Sequence, residues 1–549
     1  MKRRILVFLL ALCLAAALVP VTAFAGGGYT NIWDGSIASA FAGGTGTAEN
    51  PYQIATGAQL AYLASSVNNG ETYAGKNFVL TADIDLNKRP WTPIANTFSG
   101  VFLSGSVYRI FAGNLDGQGY TVSNVAIGSE SAPFESDVFG LFGATEGKIS
   151  NLHLNTVSIH GIAKNVSGYV IGLAGGLIGS ASGNVENCHV TGLTMTMKTP
   201  DSGSAAAYWI GGLVGALDAG QINECSASGK ITEKSGKGSI GGLIGELGKA
   251  SKITYSRANV ALDVKPNHKG GADVGGFIGK GNGKSNAETV IRNCYATGDV
   301  TGGAYTGGFA GGIWGLNIIN CYATGNVSGA ANSMASFVGT DSSDPSYYGS
   351  IINCYTTGTV IGTAPFRYAF FQQQDATKRS KVENCYFSSD ANSSLKQPNE
   401  SAVAKTPDEM KTDSFADVLN AGDKSNGWVF VNGNALGGAE PADYSAIEKA
   451  LKTVPSDLTV YTDESVAALN KAIDGVIQGK AAVNQAEVDA MAKAIEDAIA
   501  ALEKKPVETT VQLPQTGDDS NLALWAALLL VSGAAICTMM AGKKRNYGK

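Results

Sequence analysis

The chain has 549 residues, charged residues at 16% and a formal net charge of −6 at pH 7. With no basic block in its body, it excludes the electropositive surface that nucleic-acid binding needs. Its 71 glycines and 15 prolines fall short of the roughly 25–30% share that marks disordered low-complexity chains, so the glycine is architectural, and the length suits an elongated unit with smaller modules rather than one compact core.

Residues 1–25 read as a secretory signal. Lys2, Arg3 and Arg4 form its positive end, Ile5 to Leu18 its apolar stretch, and Ala23-Phe24-Ala25 a small-residue cleavage site at Ala23 and Ala25. Residues 26–137 form an N-terminal cap and the first β-coils. Leu60, Leu63 and Ala64 share one face of a short helix over Ala58–Ser65, which suits a lid on the first coil of a stacked array. Phe78 to Leu86 and Phe111 to Val122 read as strands broken by turns, with Asp116-Gly117 a turn signal before it is anything catalytic.

Residues 138–390 repeat. Gly-Gly-Φ-Φ-Gly phrases have their second glycine at 176, 212, 242, 276 and 308, with Gly140 of Phe-Gly-Leu-Phe-Gly in the same place, and between them stands Asn-Cys-Tyr-Ala-Thr-Gly or a close variant, as at 293–298 and 320–325. The units are rich in β-branched and aromatic residues bounded by Gly, Asn and Asp, and lack three-and-four apolar spacing, so each is a strand-and-turn module. Such a module buries its apolar side only by stacking on its neighbours. The expected fold is mainly β, a right-handed parallel β-helix or β-solenoid. Like residues then form ladders along its axis about 4.8 Å apart. The six cysteines at 188, 225, 294, 321, 354 and 385 occupy one repeated place, and Leu152 appears in the same place earlier. They are expected to be a file of inward thiols, with occasional bridging left open. Tyr295, Tyr322 and Tyr355 follow the cysteines and are candidate ligand contacts, with ladder packing as the competing role. The copies at 335–339 (Ala-Ser-Phe-Val-Gly) and around Phe366–Phe371 depart from the pattern, which leaves their exact coil geometry open.

The alternation of these two phrases resembles the GLUG repeat of bacterial surface proteins, also found beside IgA-peptidase domains. The amino-terminal phrases are similar to the first coils of pectate-lyase-like β-helix proteins. None of His153, His160, His189 and His268 stands in a His-Glu-x-x-His motif, so a peptidase zinc site is not expected. No metal or cofactor site is expected either.

After residue 390 a C-terminal cap and linker run to 440, with a capping helix expected in Thr406–Asn420 and a closing strand at Trp428–Val431. Residues 441–504 turn to helical periodicity on three segments, a small three-helix bundle that resembles a FIVAR-type module. A linker of eight residues, 505–512, reaches at most about 28 Å. Residues 513–549 hold Leu513-Pro514-Gln515-Thr516-Gly517, then an apolar run over Leu522–Ala541 and Lys543-Lys544-Arg545. The run is long enough for a transmembrane helix and the basic tail keeps that end cytoplasmic. All three parts are similar to the LPXTG sorting signal of Gram-positive surface proteins. That resemblance implies sortase cleavage between Thr516 and Gly517, covalent linkage to peptidoglycan and only transient membrane residence. The expected protein is a cell-wall adhesin binding a host glycoprotein or polysaccharide. A polysaccharide-degrading lyase or glycosidase on the same fold and a non-binding stalk are the alternatives.

Overall fold

The computed structural model describes residues 31–97, 109–200, 204–266, 271–283, 289–330, 332–341, 347–372, 380–392, 395, 402–420, 428–431, 434–436, 443–455, 457–476 and 485–505. The signal sequence, His268, and the sorting signal with its apolar run lie outside them. Among the described residues no helix is long and apolar enough to cross a membrane.

The chain forms a β-solenoid, and one coil shows how. Thr289–Arg292 lies on the first face, Tyr295–Ala296 and Val300–Thr301 on the second, Tyr305–Gly307 on the third and Ala310–Trp314 on the fourth, before Leu316–Ile319 starts the next coil. First-face strands stack into an eleven-stranded sheet, from Tyr52–Ile54 to Lys381–Glu383, and fourth-face strands into a seven-stranded one. The second and third faces are joined by one antiparallel hairpin, Lys164 opposite Ile171 and Val166 opposite Tyr169. Elsewhere the coils meet in parallel register, for example Tyr295 beside Tyr322 beside Tyr355.

Each motif residue has a local cause. Between the first and second faces the chain reverses through a residue at positive φ, with Asn293, Asn320, Asn353 and Asn384 at 57°, 56°, 54° and 51°. Asparagine tolerates this left-handed conformation better than other side chains. Its amide then bonds its neighbour one coil away, Asn320 Nδ2 to Asn293 Oδ1 at 3.2 Å and Asn384 Nδ2 to Asn353 Oδ1 at 2.8 Å. The next residue turns inward, which places all six described cysteines in the core as free thiols. Ser256 fills the same place between Cys225 and Cys294, its Oγ accepting from the Cys225 amide at 3.1 Å.

The corner between the third and fourth faces needs glycine because backbones touch. A Cβ on Gly276 would stand 2.1 Å from the Gly308 carbonyl oxygen. The apolar residue after the glycines fills the coil. Leu141, Leu177, Leu213 and Leu243 give way to Phe277, Phe309, Phe337 and Phe370, whose rings stack at centroid distances of 4.9, 5.0 and 4.8 Å. Burying each phenyl ring contributes about 2 kcal/mol. The copies at 335–339 and 366–371, which depart from the pattern, keep the register of the coil. Ser333 and Ala335 stay in register with Phe366 and Tyr368, and the stacked rings carry the coil across the missing glycines.

The N-terminal helix, Gly57–Asn68, is longer than its apolar spacing indicated. Thr56 and Gln59 form a complete capping box, and Leu60, Leu63 and Val67 enter the core cluster of the first coils. At the other end, helices Pro407–Met410 and Asp413–Asn420 lie along the side of the solenoid, since Met410 and Phe415 pack on the second-face tyrosines. The closing strand expected at Trp428 is instead one arm of a hairpin, Val429–Val431 with Asn434–Leu436. Further on, helices Ser445–Lys452, Asp463–Asp474 and Gln485–Ala500 share an apolar cluster of Ile447, Leu469, Val488 and Ile495.

Candidate functional site

The outward file on the second face runs His153, His189, Ser226, Arg257, Tyr295, Tyr322, Tyr355, Tyr386. Tyr295, Tyr322 and Tyr355 stack almost parallel, at 4.8 and 5.1 Å. They are not a free aromatic strip. Tyr322 and Tyr355 are 5% and 2% exposed, covered by Trp428 and Phe415, and burial pushes the Tyr355 phenol well above its usual range. The expected ligand contact is therefore corrected for these two, because the segment after the last coil folds back on them; Tyr295 is half-buried at the margin of that cover. In the same file His189 uses both ring nitrogens, with Ser226 Oγ at 2.9 Å and Asn187 Oδ1 at 3.1 Å. Burial, then the neighbouring His153 and Arg257, lowers its pKa to about 4. Asp116 is a turn residue, its carboxylate accepting from Gln118 N and Asn151 Nδ2 at 2.8 and 2.9 Å.

A different strip carries the chemistry. The residue two places before each first glycine points outward on the third face, and the residue after the last glycine does so on the fourth. Register aligns Trp209, Ser239, Asp273, Tyr305 and Ser333 in one file. Ala216, Glu246, Lys280, Gly312 and Thr340 form the other. The two files flank one corner, and Ser239 Oγ donates across it to Glu246 Oε2 at 3.3 Å. Trp314 folds its ring over Gly312, where a Cβ would meet ring carbon at 2.2 Å. Lys280 Nζ stands 4.6 Å from the centre of that ring, a cation–π contact. The sequence of rungs is thus aromatic (Trp209), polar (Ser239, Glu246), charged (Asp273, Lys280), aromatic (Tyr305, Trp314). Three inter-coil steps make it about 14 Å long. Trp209, Glu246, Asp273, Lys280, Tyr305 and Trp314 are all part-exposed.

The two carboxylates are unequal. Burial raises Glu246, against the pull of Lys280 and hydrogen bonds from Ser239, Asn282 and Trp209. Asp273 accepts no hydrogen bond from a described residue. Its pKa is raised to about 7, by burial first, with Lys280 opposing and Glu246 adding to the rise. Flat rings at both ends suit the apolar faces of sugars, and the central carboxylates and ammonium suit hydroxyls or charged substituents. Among the described residues no group of three or more His, Cys, Asp or Glu is placed to hold a metal ion. The sorting-signal residues Leu513, Pro514, Gln515, Thr516 and Gly517, and Ala23 and Ala25, lie outside the described residues.

This strip was missed because a repeat is found by what stays constant, and these are the positions that vary. The signal was nonetheless in the chain, as Trp-Ile-Gly-Gly-Leu-Val-Gly-Ala, Ser-Ile-Gly-Gly-Leu-Ile-Gly-Glu, Asp-Val-Gly-Gly-Phe-Ile-Gly-Lys and Tyr-Thr-Gly-Gly-Phe-Ala-Gly-Gly. The first and last places of the phrase change most in chemical kind, and the second changes once, to Thr306.

Comparison with known proteins places the GLUG motif at residues 172–196, 207–232 and 302–328, so GLUG repeats are present in this solenoid. A curated relative, halomucin of Haloquadratum walsbyi, is 30% identical over 201 residues, 36% of this chain. The chain spans about 2% of that protein's length. Among solved structures, one from Bacteroides ovatus, described as a candidate immunoglobulin A1 protease, aligns over 72% of this chain and 95% of its own. The identity is 20% and the TM-score 0.38, too low to carry any inference about activity.

Proposed function

We propose that this is a secreted surface protein that sortase joins to peptidoglycan through Thr516, and that its solenoid binds glycans along the strip from Trp209 to Trp314. The strip carries the reading: aromatic rings bracket carboxylates and an ammonium over a length suited to a short oligosaccharide. The pentapeptide 513–517 with its apolar run and basic tail supports the wall attachment, and the three helices over 445–500 form the spacer, a FIVAR-like module. The glycan is a polysaccharide or the sugar of a host glycoprotein.

One observation favours a second reading, a glycan-cleaving enzyme. Ser239 Oγ bonds Glu246 across the corner at 3.3 Å and Asp273 stands in register beside Ser239, with burial raising the pKa of both carboxyls. Two neighbouring carboxyls in unlike environments are the arrangement that acid–base glycoside hydrolysis uses. Both readings meet in one experiment. The secreted chain is screened on polysaccharide and mucin arrays while released reducing ends are assayed. Retention without turnover, lost in Trp314→Ala, supports the binding protein; reducing ends that vanish in Asp273→Asn establish the enzyme; neither retention nor turnover refutes the glycan reading altogether.

A further inference from the structure

We infer that the strip selects glycans bearing free ammonium groups, hexosamine units without an N-acetyl cap, and seats the amine at Asp273 and Glu246. The inference rests on the glycan-binding reading above and names its ligand class.

Charge complementarity is the ground for it. On the two central rungs two carboxylates face one ammonium, and the flanking rungs add no charge, being Trp209 with Ala216 on one side and Tyr305 with Gly312 on the other. Lys280 leans on the Trp314 ring and forms no close ion pair with either carboxylate among the described residues. Glu246 has hydrogen bonds from Ser239, Asn282 and Trp209, whereas Asp273 accepts none from a described residue. Among the described residues the unmet acceptor is therefore Asp273, and a donor with positive charge suits it. Its pKa is raised mainly by burial, with Glu246 adding and Lys280 opposing, and a cation placed beside it would favour its charged form.

A sugar ammonium supplies that charge and three donors at once. Whichever of the two groups holds the proton before binding, the complex is an ammonium–carboxylate pair, a charge-assisted bond. N-acetylation removes the charge and places a methyl group against two carboxylates, which reverses the preference. Trp209 and Trp314 then stack on the sugars at either side, and their faces favour a nearby cation.

The test uses the whole secreted chain at near-neutral pH and physiological salt. Chitosan oligosaccharides, which carry free amines, are compared with fully N-acetylated chitin oligosaccharides of equal length, with polylysine as a third probe. We expect the free-amine form to bind at least tenfold more tightly. Asp273→Asn should bring that ratio near one, with the thermal transition kept as the check on folding. Lys280→Gln, which leaves both carboxylates uncompensated, should widen the ratio. Equal binding of the two oligosaccharides overturns the inference while leaving the glycan reading standing. So does a ratio that survives Asp273→Asn or does not widen in Lys280→Gln. Polylysine bound as tightly as chitosan overturns it too, because the strip would then be reading charge without sugar. Binding to no saccharide at all sinks the glycan reading together with it.

Discussion

Two sets of files run along this solenoid, and they differ in one respect. In the turn between the first and second faces of the last four coils the same residues recur, asparagine at positive φ (Asn293, Asn320, Asn353, Asn384), then cysteine, then tyrosine. At the outward edges of the third-to-fourth-face corner the residue changes at every step, from Trp209 through Asp273 to Tyr305. Constancy goes with burial. Amide ladders, stacked rings and packed thiols require like neighbours, and the tyrosine file is further sealed by Phe415 and Trp428. The larger of the varying side chains, Trp209, Glu246, Asp273, Lys280 and Tyr305, are part-exposed, and there a side chain answers to something other than the coil above it. Along a repeat axis, sameness marks what holds the molecule together and difference marks what it can recognise.

The comparison is most easily broken at the corner itself. Gly276→Ala drives a methyl into the Gly308 carbonyl and should cost more than about 4 kcal/mol, seen as a collapse of the unfolding midpoint in denaturant; a loss under 1 kcal/mol would mean the corner is not tightly stacked. Next in size, Tyr355→Ala removes a ring stacked on Tyr322 and packed against Phe415 and Trp428. About 3 kcal/mol should be lost, together with a red shift of tryptophan emission as the side cover loosens. If glycan retention disappears with it while the fold survives, the constant file has a binding role and the division drawn here fails.

The smallest effect is a pH dependence. His189 has a folded pKa of about 4, below the ordinary 6.5, so between those values the unfolded chain binds more protons. Its contribution is fully present above pH 6.5 and is lost as pH falls towards 4. Asp273 works the other way. Its folded pKa lies near 7 against an ordinary 3.8, so its contribution is present below pH 3.8 and is lost as pH rises through 7. Unfolding midpoints across pH 4–8 should therefore lose some of their acid-side decline in His189→Asn and some of their alkaline-side decline in Asp273→Asn. Unchanged slopes in both would show that neither shift reports the folded state.

How far the sequence reached follows the same division. Period, strand content and the inward place of Cys294, Cys321 and Cys354 could be read from recurrence alone, because translation along an axis leaves recurrence behind. The cover on Tyr322 and Tyr355 could not, since Phe415 and Trp428 come from beyond the repeat and their docking surface is not written in their own spacing. Nor could the strip, which draws its residues from four successive coils and exists only once the register is fixed. The asparagines stood in view as part of the motif. What escaped was their reason, a left-handed turn that Glu224 and Tyr255 also adopt without the amide.

The thiol file bears on how such a molecule matures. Six reduced cysteines lie in a dry row, each beside backbone rather than bonded to its neighbour. Among the described residues the fold is reached without a disulfide, so the coils are expected to hold as well in reducing as in oxidising medium. The row also works as a gauge, since any coil that opens at an end presents its own sulfur to an alkylating reagent, and the order of labelling would trace how the molecule unravels.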